Sequence, residues 1–168
     1  SIKTMKSQNW TIRPITSHDD SQIAHVIRTV MPEYGASGDG FAINDPEVDW
    51  MSKAYHAPRC AYYVIEFEGH VMGGGGIAPL EGASNDRICE LRKMYFLPAL
   101  RGQGAGLALI ELCLKKAREM KFELCYLETL TGMDNAIALY QKVGFRSLDK
   151  PMGNTGHNGC NRFFAKSL

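Results

Sequence analysis

The sequence predicts an α+β domain built on a mixed sheet. Apolar strand-like runs come first as hairpin partners, "WTIRPI" (10–15) and the pair within "CAYYVIEFEGHVMGGGGIAPL" (60–80). Later strands alternate with helical patterns, which calls for at least one crossover connection and a parallel pair. A chain of 168 residues with 45% hydrophobic and 22% charged content has room for a single core, so one domain over 1–168 is expected.

Each element has a local reason. Thr16 and Ser17, followed by Asp19 and Asp20, open a helix to about Met31, because short polar side chains and acids satisfy a helix N-terminus. "PEYGASGDGFAIN" (32–44) reads as a loop. Asp45 with Pro46 supplies a cap and a first-turn proline, so a second helix is expected to about His56. Glu68–Gly69 marks a hairpin turn. "RICELRKMYFL" (87–97) is a further strand ended by Pro98. From Gly104 to Met120, Leu107, Ile110, Leu114 and Ala117 keep helical spacing. "ELCYLETL" (123–130) is nearly unbroken apolar and should be a buried strand. "MDNAIALYQKVGF" (133–145) is a short helix stopped at Gly144, and "NRFFAKSL" is the final strand.

Composition excludes several classes of function. A net charge of +1 gives no basic stripe for nucleic acid and no reason to invoke a membrane surface. "SIKTMKSQNW" has no apolar segment of the signal-peptide kind, and no run approaches the length of a spanning helix. The five cysteines are odd in number and lack a CxxC. Four sit in apolar runs and read as core, which points to the reducing cytoplasm. "HNGC" (157–160) has metal-like spacing but no second pair, so no metal is expected.

"LPALRGQGAGLALI" (97–110) carries three glycines between a strand and a helix, where glycine costs roughly 0.5–1 kcal/mol relative to alanine. The usual reason is close backbone approach to an anion at a helix N-terminus. A P-loop needs Lys and Ser/Thr after its last glycine, and Leu107 and Ala108 stand there. The dinucleotide fingerprint finds Gly102 and Gly104, with Glu128 near the position of a ribose-binding acid. However, Leu107 occupies its third glycine, and too few residues follow for the usual sheet. A third pattern, Arg-x-x-Gly-x-Gly, is matched by Arg101, Gly104 and Gly106.

With that pattern, the preceding "CELRKMYFLP" and the following "NAIALYQKVGF", the chain resembles the GCN5-related N-acetyltransferase superfamily over about residues 87–146. The resemblance implies that family's fold, a mixed central sheet splayed between the fourth and fifth strands with helices on both faces. It implies acetyl-CoA as co-substrate, its pyrophosphate held by Arg101, Gly102, Gln103, Gly104, Ala105 and Gly106. Its pantetheine would meet the backbone of Met94 and Phe96, beside a strand bulge, and the side chain of Asn135. The implied chemistry is direct transfer of an acyl group to a primary amine in a ternary complex.

For that chemistry Tyr140 matches the family tyrosine that protonates the leaving thiolate, and its alternative is a core aromatic. Glu90 is the candidate base, with pairing to Arg92 as its alternative, and Glu128 is a second candidate. Asn135 could equally cap its helix. The "GGGG" run (73–76) suggests a strand with something lying close against it, such as the acceptor. Between Thr29 and Ser52 there are Glu33, Asp39, Asp45, Glu47 and Asp49 but no lysine or arginine, which points to a cationic amine. A solvated loop is the plainer reading. A nucleotide-binding oxidoreductase using NAD(P) and a non-catalytic acetyl-CoA-binding module remain as alternatives. The expected assembly is a monomer or homodimer.

Overall fold

The computed structural model describes residues 5–6, 9–36 and 38–168; residues 1–4 and 7–8 of the N-terminal stretch lie outside them. Eight strands form one sheet in the order β1-β2-β3-β4-β5-β6-β8-β7. They are β1 (Met5–Lys6), β2 (Trp10–Pro14), β3 (Ala61–Phe67), β4 (His70–Pro79), β5 (Ile88–Phe96), β6 (Leu124–Thr129), β7 (Arg146–Leu148) and β8 (Arg162–Ser167). Neighbours are antiparallel except β5 and β6. That parallel pair is joined by the helix that follows the glycine loop. With the short β1 counted, the fourth and fifth strands read from sequence are β5 and β6.

Alternation along the strands sends side chains to two cores. Ile12, Tyr63, Ile65, Leu91 and Leu127 pack with Leu109, Ile110 and Cys113 of α3 (Ala105–Glu119) and with Tyr140 of α4 (Asp134–Lys142). Tyr62, Val64 and Val71 point the other way, onto Ile23 and Ile27 of α1 (Asp20–Val30) and Met51 of α2 (Met51–Ala54). Helices therefore cover both faces. Glu68 and Gly69 take φ of 52° and 84°, the twist a tight hairpin between β3 and β4 requires.

Several expectations need correction. The second helix is broken into a 3-10 turn, Pro46–Asp49, and the single α-turn of α2, with Trp50 in a non-helical conformation between them. Asp45 makes no cap, because its carboxylate is taken by Lys93 and His157. β7, missing from the sequence reading, is a three-residue edge strand on β8 whose polar residues carry no alternation.

The "GGGG" run has its own packing reason. A Cβ at Gly74 would fall 2.8 Å from the Tyr62 ring and 2.9 Å from Ile23, and one at Gly75 would fall 2.8 Å from Met94. At Gly76 it would strike the Ala61 carbonyl. What lies against these glycines is the protein's own side chains and backbone, so the run leaves no room for an acceptor.

Candidate active site

β5 and β6 part company early. Their pairing runs through Ile88 and Leu124, Cys89 and Cys125, and Glu90 and Tyr126, and stops there. Beyond that rung β5 continues to Phe96 and β6 to Thr129 without pairing each other. A bulge in β5 is the cause. Gly74 faces Tyr95 while Gly76 faces Arg92, so Lys93 and Met94 oppose the single Gly75 and make a bulge. Lys93 takes φ of 48°, a left-handed conformation that costs a non-glycine residue of order 1–3 kcal/mol.

Buried bonds hold it there. The Tyr62 hydroxyl donates to the Lys93 carbonyl at 2.6 Å. The Lys93 ammonium, buried, donates to Asp45 at 2.8 Å and Glu47 at 2.9 Å. The expected bulge is therefore present. It redirects the backbone from Met94 to Phe96, the groups implied for pantetheine, and the Phe96 carbonyl accepts from Arg101 Nε at 2.9 Å.

At the end of β5 the glycine loop turns into α3. Gly102 and Gly104 take φ of 76° and 83°, and a Cβ on either would meet nothing within 4 Å. Backbone conformation, and not crowding, requires glycine there, and the loop's outer surface is open. Gly104 caps α3, whose first-turn N–H groups have no acceptors within the helix. Arg101 and Gln103 brace the loop from within: Arg101 also pairs with Glu33 at 2.9 Å, and Gln103 donates to the Ala99 carbonyl at 2.8 Å. Ala105 is buried in the core beneath. Gly106 differs from its neighbours, since a Cβ there would fall 3.0 Å from Leu139 of α4. Its small size serves helix packing.

Tyr140 and Glu128 line one cavity with Lys93, Met94, Tyr95 and Cys160. Tyr140 is 7% exposed, with Phe145 edge-on at 5.9 Å, and its hydroxyl has no hydrogen-bond partner among the described residues. Burial pushes its pKa well up, so it stays a neutral donor at physiological pH. Asn135 is exposed on the first turn of α4 and makes no cap. The structure does not bring it to Glu90.

Around Glu90 lies a polar cluster that sequence reasoning only partly found. Glu90 is 3% exposed, and its Oε1 accepts from Arg92 Nε at 2.7 Å. Burial raises its pKa, and Arg92 only partly offsets that. The pairing with Arg92, the plainer of the two readings of Glu90, is therefore present in the structure.

Glu128 accepts from the Thr155 hydroxyl at 2.5 Å and the Tyr126 hydroxyl at 2.7 Å, and the His157 ring stands 3.7 Å away. Burial alone would raise this carboxyl, but these contacts outweigh it and hold the pKa below the ordinary value. His157 Nε2 lies 3.0 Å from Asp45 Oδ2. The hydrogen bond to Asp45, then the contact with Glu128, pushes the imidazole up to about 9 against burial.

The sequence marks His157 only as half of a metal-like spacing. Nothing in its polar, glycine-rich surroundings signals that the β7–β8 loop crosses to Asp45. The acids of 29–52 also read differently in three dimensions. Glu33 pairs with Arg101, Asp45 and Glu47 with Lys93, and Asp49 with Arg28. Four of the five are paired within the chain, while Asp39 is exposed and makes no ion pair among the described residues.

The pattern of the Acetyltransferase (GNAT) family matches residues 26–145. The chain belongs to that family. It is an acyltransferase, and membership removes the dinucleotide oxidoreductase from consideration. The chain is 49% identical over 160 residues to the uncharacterized N-acetyltransferase YjgM of Escherichia coli (strain K12), covering 95% of each. Among solved structures, this GNAT protein shares its fold with a GNAT-family acetyltransferase of Staphylococcus aureus, with TM-score 0.80, 17% identity, and coverage of 95% of this chain and 99% of that one. YncA, a putative acetyltransferase from Salmonella typhimurium solved with its cofactor acetyl-CoA, matches with TM-score 0.74 and 18% identity over 96% of this chain and 95% of that one.

Proposed function

We propose that this protein transfers an acetyl group from acetyl-CoA to a primary amine by direct attack within a ternary complex. The observation that carries this reading is the single cleft between the splayed β5 and β6. The glycine loop opens at one end of β5, and the same cleft is lined by Tyr140 and Glu128. Acyl transfer needs a bound thioester, an uncharged nitrogen and a proton for the departing thiolate. The acetyl-CoA held by YncA supports the choice of cofactor.

In this reading the N–H groups of residues 102–106 and the dipole of α3 hold the pyrophosphate, with Arg101 beside them. The bulged backbone at Met94 and Phe96, with Asn135 across the cleft, guides the pantetheine arm. Tyr140 supplies the thiolate proton, and Glu90 or Glu128 faces the incoming nitrogen. Cys160 lines the cavity, but burial pushes its thiol up to about 12, which makes it a poor nucleophile and favours direct transfer over an acyl-enzyme. One domain over 1–168 carries this activity, and the free thiols fit a reducing cytoplasm.

Incubation with acetyl-CoA and a mixed amine library, followed by mass spectrometry, tests the reading. The expected result is acetylated primary amines with stoichiometric free CoA. Tight acetyl-CoA binding with no product from any amine would instead make the protein a binding module.

A further inference from the structure

The β7–β8 loop is anchored on both sides of the cleft. Asn154 N–H donates to the Glu81 carbonyl at 2.7 Å, and Gly159 N–H donates to the Gly40 carbonyl at 2.9 Å. Between these anchors His157 hangs over the end of the β5–β6 pairing. Its Nε2 contacts Asp45 at 3.0 and 3.1 Å, so the Nε2–H donates to that carboxylate and Nδ1 is left on the side of Glu128. One oxygen each of Glu90 and Glu128 and one ring nitrogen of His157 lie within 4.8 Å of one another.

Two carboxylates and an imidazole nitrogen whose ring partner is spent on Asp45 offer a guest only acceptors, which suits a group that donates three hydrogens, as a primary ammonium does. His157 Nδ1 and Glu128 Oε1 stand 3.7 Å apart. Glu90 adds a second observation. It is 3% exposed, and with Oε1 on Arg92 its other oxygen has no partner among the described residues.

We propose that Glu90, Glu128 and His157 together cradle the primary ammonium group of the acceptor, and that His157, its tautomer set by Asp45, takes the proton which that group must lose before attack. This rests on the acetyl transfer proposed above and names its acceptor subsite. The cation preference comes from the strand carboxylates and not from the acids of 29–52. The Lys93 ammonium occupies Asp45 and Glu47, Arg92 holds one oxygen of Glu90, and Tyr126 and Thr155 fix Glu128, so each acceptor keeps its place. Cys160 sits nearby with its thiol protonated.

The step balances. His157 Nδ1 receives one proton from the ammonium, which leaves a lone pair on nitrogen. That pair forms the C–N bond at the thioester carbonyl carbon, and the C–S bond breaks with its electrons on sulfur. Sulfur takes the Tyr140 proton, and the second proton shed by the nitrogen restores Tyr140. The products are the amide, free CoA and one proton, which His157 returns to solvent past Asp45.

The test follows the His157 ring by nitrogen-15 NMR in the CoA-bound protein, with ethylammonium chloride as probe and tetramethylammonium chloride as control. Ethylammonium competes with the ring proton and should lower the His157 midpoint by about one pH unit at saturation, whereas tetramethylammonium, which cannot donate, should not. Glu90→Gln and Glu128→Gln should each weaken the response. No shift with ethylammonium, or the same shift with both salts, overturns the cradle. Stoichiometric zinc binding lost in both variants, without an ethylammonium response, makes the cluster a metal site and overturns it too.

Kinetics with any amine found in the product screen gives a second readout. kcat/KM should rise with pH through about 9, the value His157 reaches in this environment. His157→Gln should lose that limb, and Asp45→Asn should move it to lower pH because Asp45 is what raises it. An unchanged limb in both variants overturns the role of His157. Acetyl-CoA binding should survive in His157→Gln; its absence from the wild-type protein would overturn the proposed function instead, with the ethylammonium result still deciding the cradle.

Discussion

The Lys93 ammonium stands 2.8 Å from the Asp45 carboxylate, and this contact ties the bulge of β5 to the loop that carries Asp45. The lysine is buried and in a left-handed conformation, so the ion pair fixes both the opening of the sheet and the carboxylate that orients His157. One buried cation thus positions elements on both sides of the candidate site.

Lys93→Met should show how much depends on it. Removing the cation leaves Asp45 and Glu47 partly buried without their partner, a change typically worth about 3–5 kcal/mol. The sign with pH follows from the carboxylates. Burial works to raise both pKa values, yet Lys93, with His157 at Asp45, holds them below the ordinary values. Their contribution is therefore present above the unfolded carboxylate pKa and lost as pH falls through the folded values. Urea denaturation should show a large deficit for the variant at pH 7 that shrinks toward about pH 3, below the ordinary carboxylate range. An equal deficit at both pH values would mean packing, and not charge, is what the lysine supplies.

The two glycines of the loop should separate. Gly104→Val imposes a branched side chain at φ of 83° but meets no neighbour, so the fold should survive with a modest loss in Tm. Titration calorimetry should show acetyl-CoA binding abolished, because the strained backbone no longer presents its N–H groups. Gly106→Val should instead lower Tm markedly, since its side chain collides with Leu139. A Gly104→Val protein that binds acetyl-CoA normally would remove the loop from the cofactor site.

His157 makes stability fall on the alkaline side. Its pKa is raised from 6.5 to about 9, so the contribution is complete below 6.5 and is lost as pH rises through about 9. The maximum is on the order of 3 kcal/mol, at about 1.4 kcal/mol for each unit. Denaturation midpoints of the wild-type protein should decline across that window, and those of His157→Gln should stay flat. Parallel curves would show that the ring is not charged in the folded state.

The sequence made β2 to β6, β8, α1, α3 and α4 legible because each rests on local rules. Hydrophobic period, caps and turns need only neighbouring residues, and the glycine loop carries its own signature. Candidate site residues could be named where they are contiguous: Glu90, Met94 and Phe96 share one strand, Asn135 and Tyr140 share one helix, and Glu128 lies on the next strand, whereas Lys93 carries no signal of its bulge. Asp45, Glu128 and His157 are far apart in the chain, and their meeting depends on loop crossings without any periodic pattern. The same gap explains the broken second helix. Asp45–Pro46 carries a sound local start signal, but a tertiary demand on the Asp45 carboxylate overrides it.

Tyr140 gives the sharpest test of the chemistry. The ring is buried against Phe145, so Tyr140→Phe keeps the packing and deletes only the hydroxyl, which has no partner among the described residues. No hydrogen bond is broken in the resting protein, and Tm should hardly move. If the hydroxyl protonates the leaving thiolate, kcat should fall by about 10²–10⁴-fold, the usual worth of general acid catalysis. A CoA thiolate is a fairly good leaving group, which favours the low end. The KM for acetyl-CoA should stay nearly constant, because the lost interaction develops in the transition state. The effect should persist across pH, since burial keeps the hydroxyl protonated well beyond the working range. Single-turnover measurements make chemistry the observed step, and a near-normal rate in them would leave Tyr140 as a core aromatic that lines the cleft without serving it.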